Sequence, residues 1–447
     1  MHKKIFSSAG YLAGASLIEK IGAFIIIPIL TVALSPKEYG DLMLGVSYTG
    51  IVMLLIYNGL QSALFRWYSI WQENFNKKIY EKYLFLIVNS IAFIIVLLFI
   101  GVNSIYNLND LLKIDFWLFM AILVASISLI PYSFKSSVWI IDNKAYLNLV
   151  FTITKTILIV LGIYFLINIY SDAIIKPLIE LSITLLVSSY LIYEYFFKYP
   201  SLNNVEFKKI KPILKESLIY GWGLQISQIA FWIITSSDRI MLANLTSNEF
   251  VAYYSVLMIG ITIMFVVVAF NNSFSAYYNK MTSDNIPIEK INRYIFTYLF
   301  YGFLAIVFYK LFLYYFADNI ILMFSTKEYL IVSRYMYLTS DIILFYFAYL
   351  LFSRYLHAYK MVKMVIAVTI FSALLNLVLN YYLILSYGIL GALVASIIAY
   401  LSMGIFSFTI MYKKIGFVYM KNLIILFGFI LIVNFGIDYY LYKGIGI

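Results

Sequence analysis

Thirteen long apolar segments run along this chain of 447 residues, each about long enough to cross a bilayer as a helix. They lie at 10–34, 41–65, 83–105, 114–138, 146–169, 174–197, 214–243, 250–278, 294–316, 335–357, 363–386, 388–411 and 422–442. The chain is 64% hydrophobic and only 12% charged, whereas a soluble domain is roughly 25% charged. We therefore predict an all-α polytopic membrane protein with 12 or 13 transmembrane helices. The last segment is the weakest, because Asn434 and Asp438 interrupt it.

The distribution of Lys and Arg predicts the orientation. If the N-terminus is cytoplasmic, 22 of the 32 basic residues fall in inner loops and adjoining helix ends, and six fall in outer loops. Cytoplasmic loops of membrane proteins carry an excess of Lys and Arg. The bias predicts a cytoplasmic N-terminus, and it also supports the number of spans, since one missed helix would reverse every later loop.

A short polar motif occurs twice in the chain. "LSPKEYGDL" at 34–42 and "LTSNEFVAY" at 245–253 share a Leu, a Ser or Thr, and a Glu followed by an aromatic residue. The two copies are 211 residues apart. Adding 211 to the residue numbers of most spans in the first half gives positions close to those of spans in the second half. We therefore predict two pseudo-symmetric six-helix lobes, parallel repeats related by an axis along the membrane normal.

Each copy of the motif falls in the short outer turn between the first two helices of its lobe. A Ser or Thr side chain at such a turn accepts hydrogen bonds from the first backbone N–H groups of the next helix. We expect Ser35 and Thr246 to cap these helices, with Glu38 and Glu249 near their positive ends.

The loop lengths and basic tracts predict the domain limits. The N-terminal lobe is expected at 1–198, a cytoplasmic linker at 199–213 and the C-terminal lobe at 214–412. Residues 413–447 would add one more transmembrane helix. The linker is expected there because it is Lys-rich and contains Pro200 and Pro212.

Several function classes lack support in the sequence. There is no cysteine, and the two histidines are single and far apart, which argues against a metal site. There is no phosphate-binding P-loop and no nucleophile elbow, so we expect neither an enzyme nor a bound cofactor. The net charge of +11 lies in short tracts between apolar runs, which fits cytoplasmic loops better than nucleic-acid binding.

Three segments carry a resemblance to a known family. They are "IGAFIIIPILTVALSPKEYGDLMLG" followed by "NGLQSALFRWY", "GLQISQIAFWIITSSDRIMLANLTSNEFVAYYSV", and "YGILGALVASIIAY". They resemble polysaccharide flippases of the Wzx type, in the multidrug/oligosaccharidyl-lipid/polysaccharide (MOP) exporter superfamily. MATE drug exporters and the lipid II flippase MurJ belong to the same superfamily. The resemblance implies that the two six-helix lobes surround a central cavity.

The resemblance implies a cargo and a location. It implies a multi-pass protein of the bacterial inner membrane that moves a polyprenyl-diphosphate-linked oligosaccharide, an O-antigen or capsule unit, from the cytoplasmic to the periplasmic leaflet. Partners would be membrane lipid and polysaccharide polymerase or assembly proteins, and a proton or sodium gradient could drive transport. The physics agrees, because a diphosphate and sugars cannot cross hydrocarbon without replacement for their hydration.

The basic residues within or beside the spans are the candidate substrate contacts, since an intramembrane charge needs a cavity or a partner. These candidates are Lys20, Lys155, Arg66 and Arg239. For Lys20 and Lys155, a purely structural ion pair is the alternative to a place on the cavity wall. For Arg66, a positive-inside anchor at the end of its span is an equal alternative to diphosphate binding. For Arg239, an interfacial ion pair is the equal alternative.

The acidic residues are candidates for ion coupling or charge pairing. They are Glu19, Glu180, Asp238 and Asp341. For Glu180 and Asp341, local hydrogen bonding is the leading alternative. Lys310 is expected to extend its ammonium group outward to water.

Three other functions compete with the flippase. A MATE-like exporter of cationic drugs predicts an acidic cavity, whereas the spans offer at least as many bases as acids. A glycan polymerase or glycosyltransferase usually carries a sizeable catalytic outer loop, which the predicted topology lacks. A passive scaffold of a glycan-assembly complex is disfavoured by the intramembrane charges.

Overall fold

The computed structural model describes residues 2–68, 74–199, 204–283, 287–415 and 417–444, and these residues are nearly all helical. Within these ranges, twelve helices are long and apolar enough to cross a membrane. A thirteenth span forms if the pair Asn248–Ile261 and Met264–Asn271, bent by 47°, counts as one. The predicted fold class of 12 to 13 membrane helices is confirmed, and every predicted segment overlaps an observed one.

The chain divides into two compact units, Met1–Ile229 and Ala230–Ile447. The first unit contains nine helices and the first part of a tenth. They are α1 His2–Ala33, α2 Pro36–Met53, α3 Gly59–Tyr68, α4 Asn74–Ile105, α5 Leu108–Leu112, α6 Phe116–Ser128, α7 Ile130–Ile141, α8 Ala145–Tyr170, α9 Ile175–Tyr193 and α10 Asn204–Leu245. Two π-helical turns, Leu54–Asn58 and Glu194–Lys198, adjoin α2 and α9.

The second unit contains the rest of α10 and seven further helices. They are α11 Asn248–Leu257, α12 Met264–Ser283, α13 Ile288–Phe324, α14 Thr339–Ala358, α15 Val362–Tyr387, α16 Ile389–Ile415 and α17 Phe417–Gly444. The 3₁₀ segments Met258–Ile261 and Lys327–Leu338 lie between helices.

The first copy of the repeated motif caps a helix as predicted. Ser35 is the N-cap of α2, its Oγ accepts from the backbone N–H of Glu38, and the Glu38 carboxylate accepts from the Ser35 backbone N–H at 2.9 Å. Pro36 stands in the first turn, where no N–H is needed. The reciprocal capping starts the second span sharply after the first.

The second copy does not cap in this way, so the prediction for Thr246 is wrong. Its hydroxyl donates to the carbonyl of Leu242 at 2.6 Å, which satisfies the end of α10 instead. Ser247 is the N-cap of α11 and makes no side-chain capping bond. The two turns share residues but differ in how those residues bond.

Two glycines explain the sharp turn between α15 and α16. Gly388 has φ of 55°, a region that strains residues with a Cβ. A Cβ on Gly391 would lie 2.0 Å from the carbonyl oxygen of Leu383. Both glycines are therefore needed for these two spans to join directly.

Helix α10 begins at Asn204, so much of the linker predicted at 199–213 is helical. Its first part packs closely on α3: a Cβ on Gly59 would lie 2.2 Å from the carbonyl oxygen of Gly221. Gln225 donates to the carbonyl of Leu54 at 2.7 Å, in the π-helical turn before α3. The first part of α10 is thus an integral part of the first unit.

Candidate functional site

An ion pair joins two spans of the first unit. Lys155 on α8 lies 3.1 Å from the carboxylate of Glu19 on α1, and its ammonium also lies 5.1 Å from the ring centre of Tyr132. The lysine side chain is 13% exposed, whereas that of Glu19 is 49% exposed. Lys155 is therefore held against the aromatic ring, whereas its carboxylate partner is half exposed.

A buried hydrogen-bond network holds the ring beneath that lysine. The Tyr132 hydroxyl lies 2.6 Å from Asn148 Oδ1 and 2.7 Å from the hydroxyl of Thr152. Ser136 also donates to Asn148 Oδ1, at 2.7 Å. These bonds between α7 and α8 fix the position of Tyr132, and through it that of Lys155.

Lys20 lies next to Glu19 but takes no part in that pair. It is exposed, and no hydrogen bond or ion pair to it occurs within the described residues. A lysine in hydrocarbon costs roughly 2.5–3.5 kcal/mol on insertion scales. Its place in the middle of a span thus favours contact with water or an anion over contact with lipid tails.

Arg66, at the end of α3, lies against two aromatic rings. Its guanidinium is 4.8 Å from the ring centre of Trp67 and 4.6 Å from that of Tyr220 on α10. The guanidinium therefore helps to hold the end of α3 against α10.

A buried carboxylate on α10 is bound by neutral donors from three other spans. Asp238 is 1% exposed. It accepts hydrogen bonds from Tyr254 at 2.5 Å, Asn380 at 2.6 Å and Ser396 at 2.7 Å. The Nδ2 atom of Asn376 and the Oδ1 atom of Asn380 are buried without a hydrogen-bond partner in the described structure. The cluster thus combines a buried carboxylate with two buried amide atoms that have no partner in the described structure.

Arg239 does not form a salt bridge with its neighbour Asp238. Its Nε donates to the hydroxyl of Ser255 at 3.1 Å, and its guanidinium lies 5.8 Å from the ring centre of Tyr254. No ion pair of Arg239 occurs in the described part of the chain. The Asp238 carboxylate is consequently left without a directly bonded cation.

Asp341 belongs to a second buried cluster in the second unit. Lys310 on α13 donates to Asp341 at 2.6 Å, to Asn434 at 3.0 Å and to Asp438, and Asn434 donates to Asp341 at 2.8 Å. Lys310 is 0% exposed, so the expectation that it extends to water is wrong. The two polar residues that interrupt the last apolar segment are its partners, and they tie α17 to α13.

Glu180 forms a local pair. Its carboxylate lies 2.7 Å from Lys176, one turn earlier on α9. The contact pairs both charges at one end of α9 and lies within that helix.

A further charged cluster in the first unit escaped sequence reasoning. Lys135 lies 3.6 Å from the fully buried Glu81 and 3.3 Å from Glu194. Tyr195 and Tyr199 donate to Glu81 at 2.7 Å and 3.0 Å. Burial, followed by the negative charge of Glu81, raises the pKa of the Tyr199 hydroxyl well above its usual range, so it remains a neutral donor.

The signal for this cluster was the position of Lys135 inside an apolar segment. Its charge interrupts the segment 114–138, and an intramembrane charge needs a partner or a cavity. Its partners come from the ends of two other spans, which spacing along the sequence does not bring together.

The fold defines a polytopic all-α membrane protein, with buried polar clusters inside its apolar spans. A sequence model of the family described as "Polysaccharide biosynthesis protein" matches residues 5–259, more than half of the chain. The chain belongs to this family. The MatE family model also matches, at residues 224–382. A search of curated proteins gave no match.

Solved structures with the same fold are transporters. The lipid II flippase MurJ, in an inward closed conformation, is 16% identical over 98% of this chain and 97% of its own, with a TM-score of 0.63. An inward-facing multidrug resistance MATE transporter of the MOP superfamily is 12% identical over 90% and 94%, with a TM-score of 0.66. A MOP superfamily transporter from Pyrococcus furiosus is 12% identical over 92% and 95%, with a TM-score of 0.62.

Proposed function

We propose that the protein is a Wzx-type flippase of the bacterial inner membrane, with a cytoplasmic N-terminus. Its cargo is a polyprenyl-diphosphate-linked oligosaccharide, which it moves by alternating access from the cytoplasmic to the periplasmic leaflet. Family membership supports a cargo made for polysaccharide assembly. The observation that carries the proposal is the polar site of Lys155, Glu19 and Lys20 in the middle of two spans.

The chemistry of that site suits a diphosphate. Lys155 is held in place by Tyr132 but is neutralised only by a half-exposed carboxylate. A diphosphate carries more negative charge than one carboxylate, so it competes for Lys155 and recruits the exposed Lys20 as well. Glu19 would be displaced when the cargo arrives and would return when the cargo leaves.

Substitutions at Lys20 test this role. In a strain that lacks its own copy of the gene, Lys20→Ala should abolish most surface glycan at matched membrane abundance, and Lys20→Arg should retain part of it. Removing an intramembrane charge lowers the insertion cost, so the alanine variant should reach normal levels. Full glycan display by Lys20→Ala would contradict substrate contact at this residue.

We propose that Asp238 holds the coupling cation, a sodium ion or a proton. A buried carboxylate needs a positive charge or a proton, and the donors at Asp238 are neutral. Carboxylate, amide and hydroxyl oxygens are the hard ligands that alkali cations prefer. The buried Oδ1 atom of Asn380 has no hydrogen-bond donor in the described structure and gives this cluster a further oxygen ligand for a cation.

A MATE-like exporter is the second candidate, because the MatE family model matches residues 224–382. It makes a different prediction for the same cell. Loss of the protein would increase sensitivity to cationic drugs and would leave surface glycan unchanged.

A further inference from the structure

A cavity of about 620 Å³ lies between α13 and α17, near the ends at which both helices begin. Its lining comes from two stripes of side chains. They are Glu289, Asn292, Arg293, Phe296 and Thr297 on α13, with Asn422 and Leu423 on α17. Both helices belong to the second unit, and the cavity lies wholly within it.

Within the described residues, the two charged side chains that line this cavity have no partner in the protein. Glu289 and Arg293 lie four residues apart on one helix face, a spacing at which opposite charges normally pair. The ion pairs in the described part of the chain involve other residues, and neither charged group there makes a hydrogen bond. Both side chains are exposed. One anionic and one cationic group therefore face the same cavity, free for a ligand.

The cavity becomes apolar toward the middle of the span. Phe296 lies further along α13 than the two charged residues, and Leu423 follows Asn422 on α17. The hydroxyl of Thr297, next to Phe296, donates to the backbone carbonyl of Arg293 at 2.8 Å and is therefore satisfied within α13. Deeper still, Lys310 ties α13 to Asn434 on α17 at 3.0 Å, so the two helices are held together there. The shape is thus a wedge, closed in the span and open at the helix starts, with charges at the open end.

The charged end lies at the starts of two apolar spans, where lipid headgroups are expected. Glu289 is the first residue of one membrane span, and Met420, two residues before Asn422, is the first of another. Charged headgroups lie at such span ends, whereas the acyl chains lie along the helices. A phospholipid entering from the bilayer would meet the charges and the apolar surface in the correct order.

We propose that this wedge is a binding site for a zwitterionic phospholipid of the phosphatidylethanolamine type. The phosphate binds Arg293, the ammonium binds Glu289, and an acyl chain lies along Phe296 and Leu423. The carboxylate of Glu289 disfavours headgroups with a net negative charge and selects one that carries its own cation. The last span, α17, therefore completes a lipid site in addition to its ion-pair contact with α13.

Lipid binding to the purified full-length protein tests the proposal without any transport assay. Phosphatidylethanolamine, phosphatidylglycerol, and water-soluble phosphoethanolamine are each titrated into delipidated protein, and bound molecules are counted by native mass spectrometry. Arg293→Gln and Glu289→Gln should each weaken phosphatidylethanolamine binding about tenfold. Lys290→Gln is the matched control, since Lys290 is exposed and adjacent but does not line the cavity.

Each alternative result overturns a definite part of the proposal. Unchanged phosphatidylethanolamine binding in both variants would exclude this site. Equal or tighter binding of phosphatidylglycerol, unaffected by Glu289→Gln, would mean a plain anionic-lipid site. Soluble phosphoethanolamine binding as tightly as the lipid would mean that the apolar wall contributes nothing and the ligand is a free phosphate compound. A similar loss in Lys290→Gln would reduce the effect to general surface charge.

Discussion

The ammonium of Lys155 lies 3.1 Å from the carboxylate of Glu19, across 136 residues of sequence, and joins α8 to α1. One partner is nearly enclosed and held against an aromatic ring, while the other is half exposed. The asymmetry matters, because an incoming anion can displace the exposed carboxylate without moving the lysine. The pair is thus suited to bind an anion reversibly in the middle of the membrane.

Removing the lysine should stop transport, whereas neutralising its partner should not. Lys155→Ala is expected to lower the transport rate at least about tenfold, since a charged contact to the diphosphate is lost. Glu19→Gln should retain transport, because Lys155 then meets less competition. Lys176→Ala is the control, because it removes a pair that lies at a span end. Surface glycan at matched abundance is the measurement, and wild-type display by Lys155→Ala would refute the role.

Asp238→Asn should uncouple transport from its driving ion while leaving the protein folded. The amide keeps the shape of the carboxylate and can still accept from Tyr254 and Ser396, but it carries no charge to attract a cation. Glycan export in energised cells should fall at least about tenfold. Varying sodium at fixed pH, and then pH at fixed sodium, identifies the ion. If glycan export by Asp238→Asn still depends on the same ion gradient, Asp238 does not hold the coupling ion. Glu180→Gln is the control variant.

Lys310→Met should destabilise the second unit by about 3–5 kcal/mol, because it leaves two buried carboxylates without their cation. Asp438→Asn alone should be tolerated, since Lys310 keeps its pair with Asp341. Combining Lys310→Met with Asp341→Asn and Asp438→Asn should recover most of the loss. Thermal denaturation in detergent measures all three variants. An unchanged melting temperature for Lys310→Met would mean that the cluster does not hold α17.

Gly221→Ala should disturb the contact between α10 and α3, because the new Cβ would lie 2.8 Å from the carbonyl oxygen of Gly59. Gly223→Ala, two residues later, meets nothing within 4 Å and should be neutral or slightly stabilising. Gly221→Ala should therefore lower the melting temperature, whereas Gly223→Ala should leave it unchanged or raise it slightly. Equal effects would show that the close helix contact contributes little to stability.

Reporter fusions should place Lys78 in the cytoplasm and Lys113 in the periplasm. These residues lie at opposite ends of the span Lys77–Ile105 and its following turn. The prediction rests on the excess of Lys and Arg in the inner loops. A periplasmic signal at Lys78 would reverse the proposed direction of transport.

Long apolar runs made the spans predictable. Each depends only on local composition, so the predicted limits lie within eight residues of the observed ones, and those of the weak last span within two. The first helix cap was equally local, since Ser35 and Glu38 stand three residues apart. The second cap failed because Thr246 found an acceptor in the helix that precedes it.

Partners distant in sequence were not predictable. Lys310 looked like a residue that reaches for water, yet its partners Asp341 and Asn434 come from two other spans, 31 and 124 residues away. Lys135 and Glu81 likewise meet only after three spans have packed. Sequence pattern shows that an intramembrane charge needs a partner, but only packing selects which one.

Leaflet exposure of the lipid-linked oligosaccharide tests the central claim most directly. The measurement uses spheroplasts of a strain with a regulated copy of this gene, treated with a membrane-impermeant reagent that modifies the sugar. With the protein present, most of the polyprenyl-diphosphate oligosaccharide should be modified from outside. After depletion of the protein, the same lipid should accumulate in the cytoplasmic leaflet, where the reagent cannot reach it. Cells with Lys155→Ala should give the same result as depleted cells, whereas cells with Glu19→Gln should give the wild-type result. Equal modification with and without the protein would contradict a flippase function.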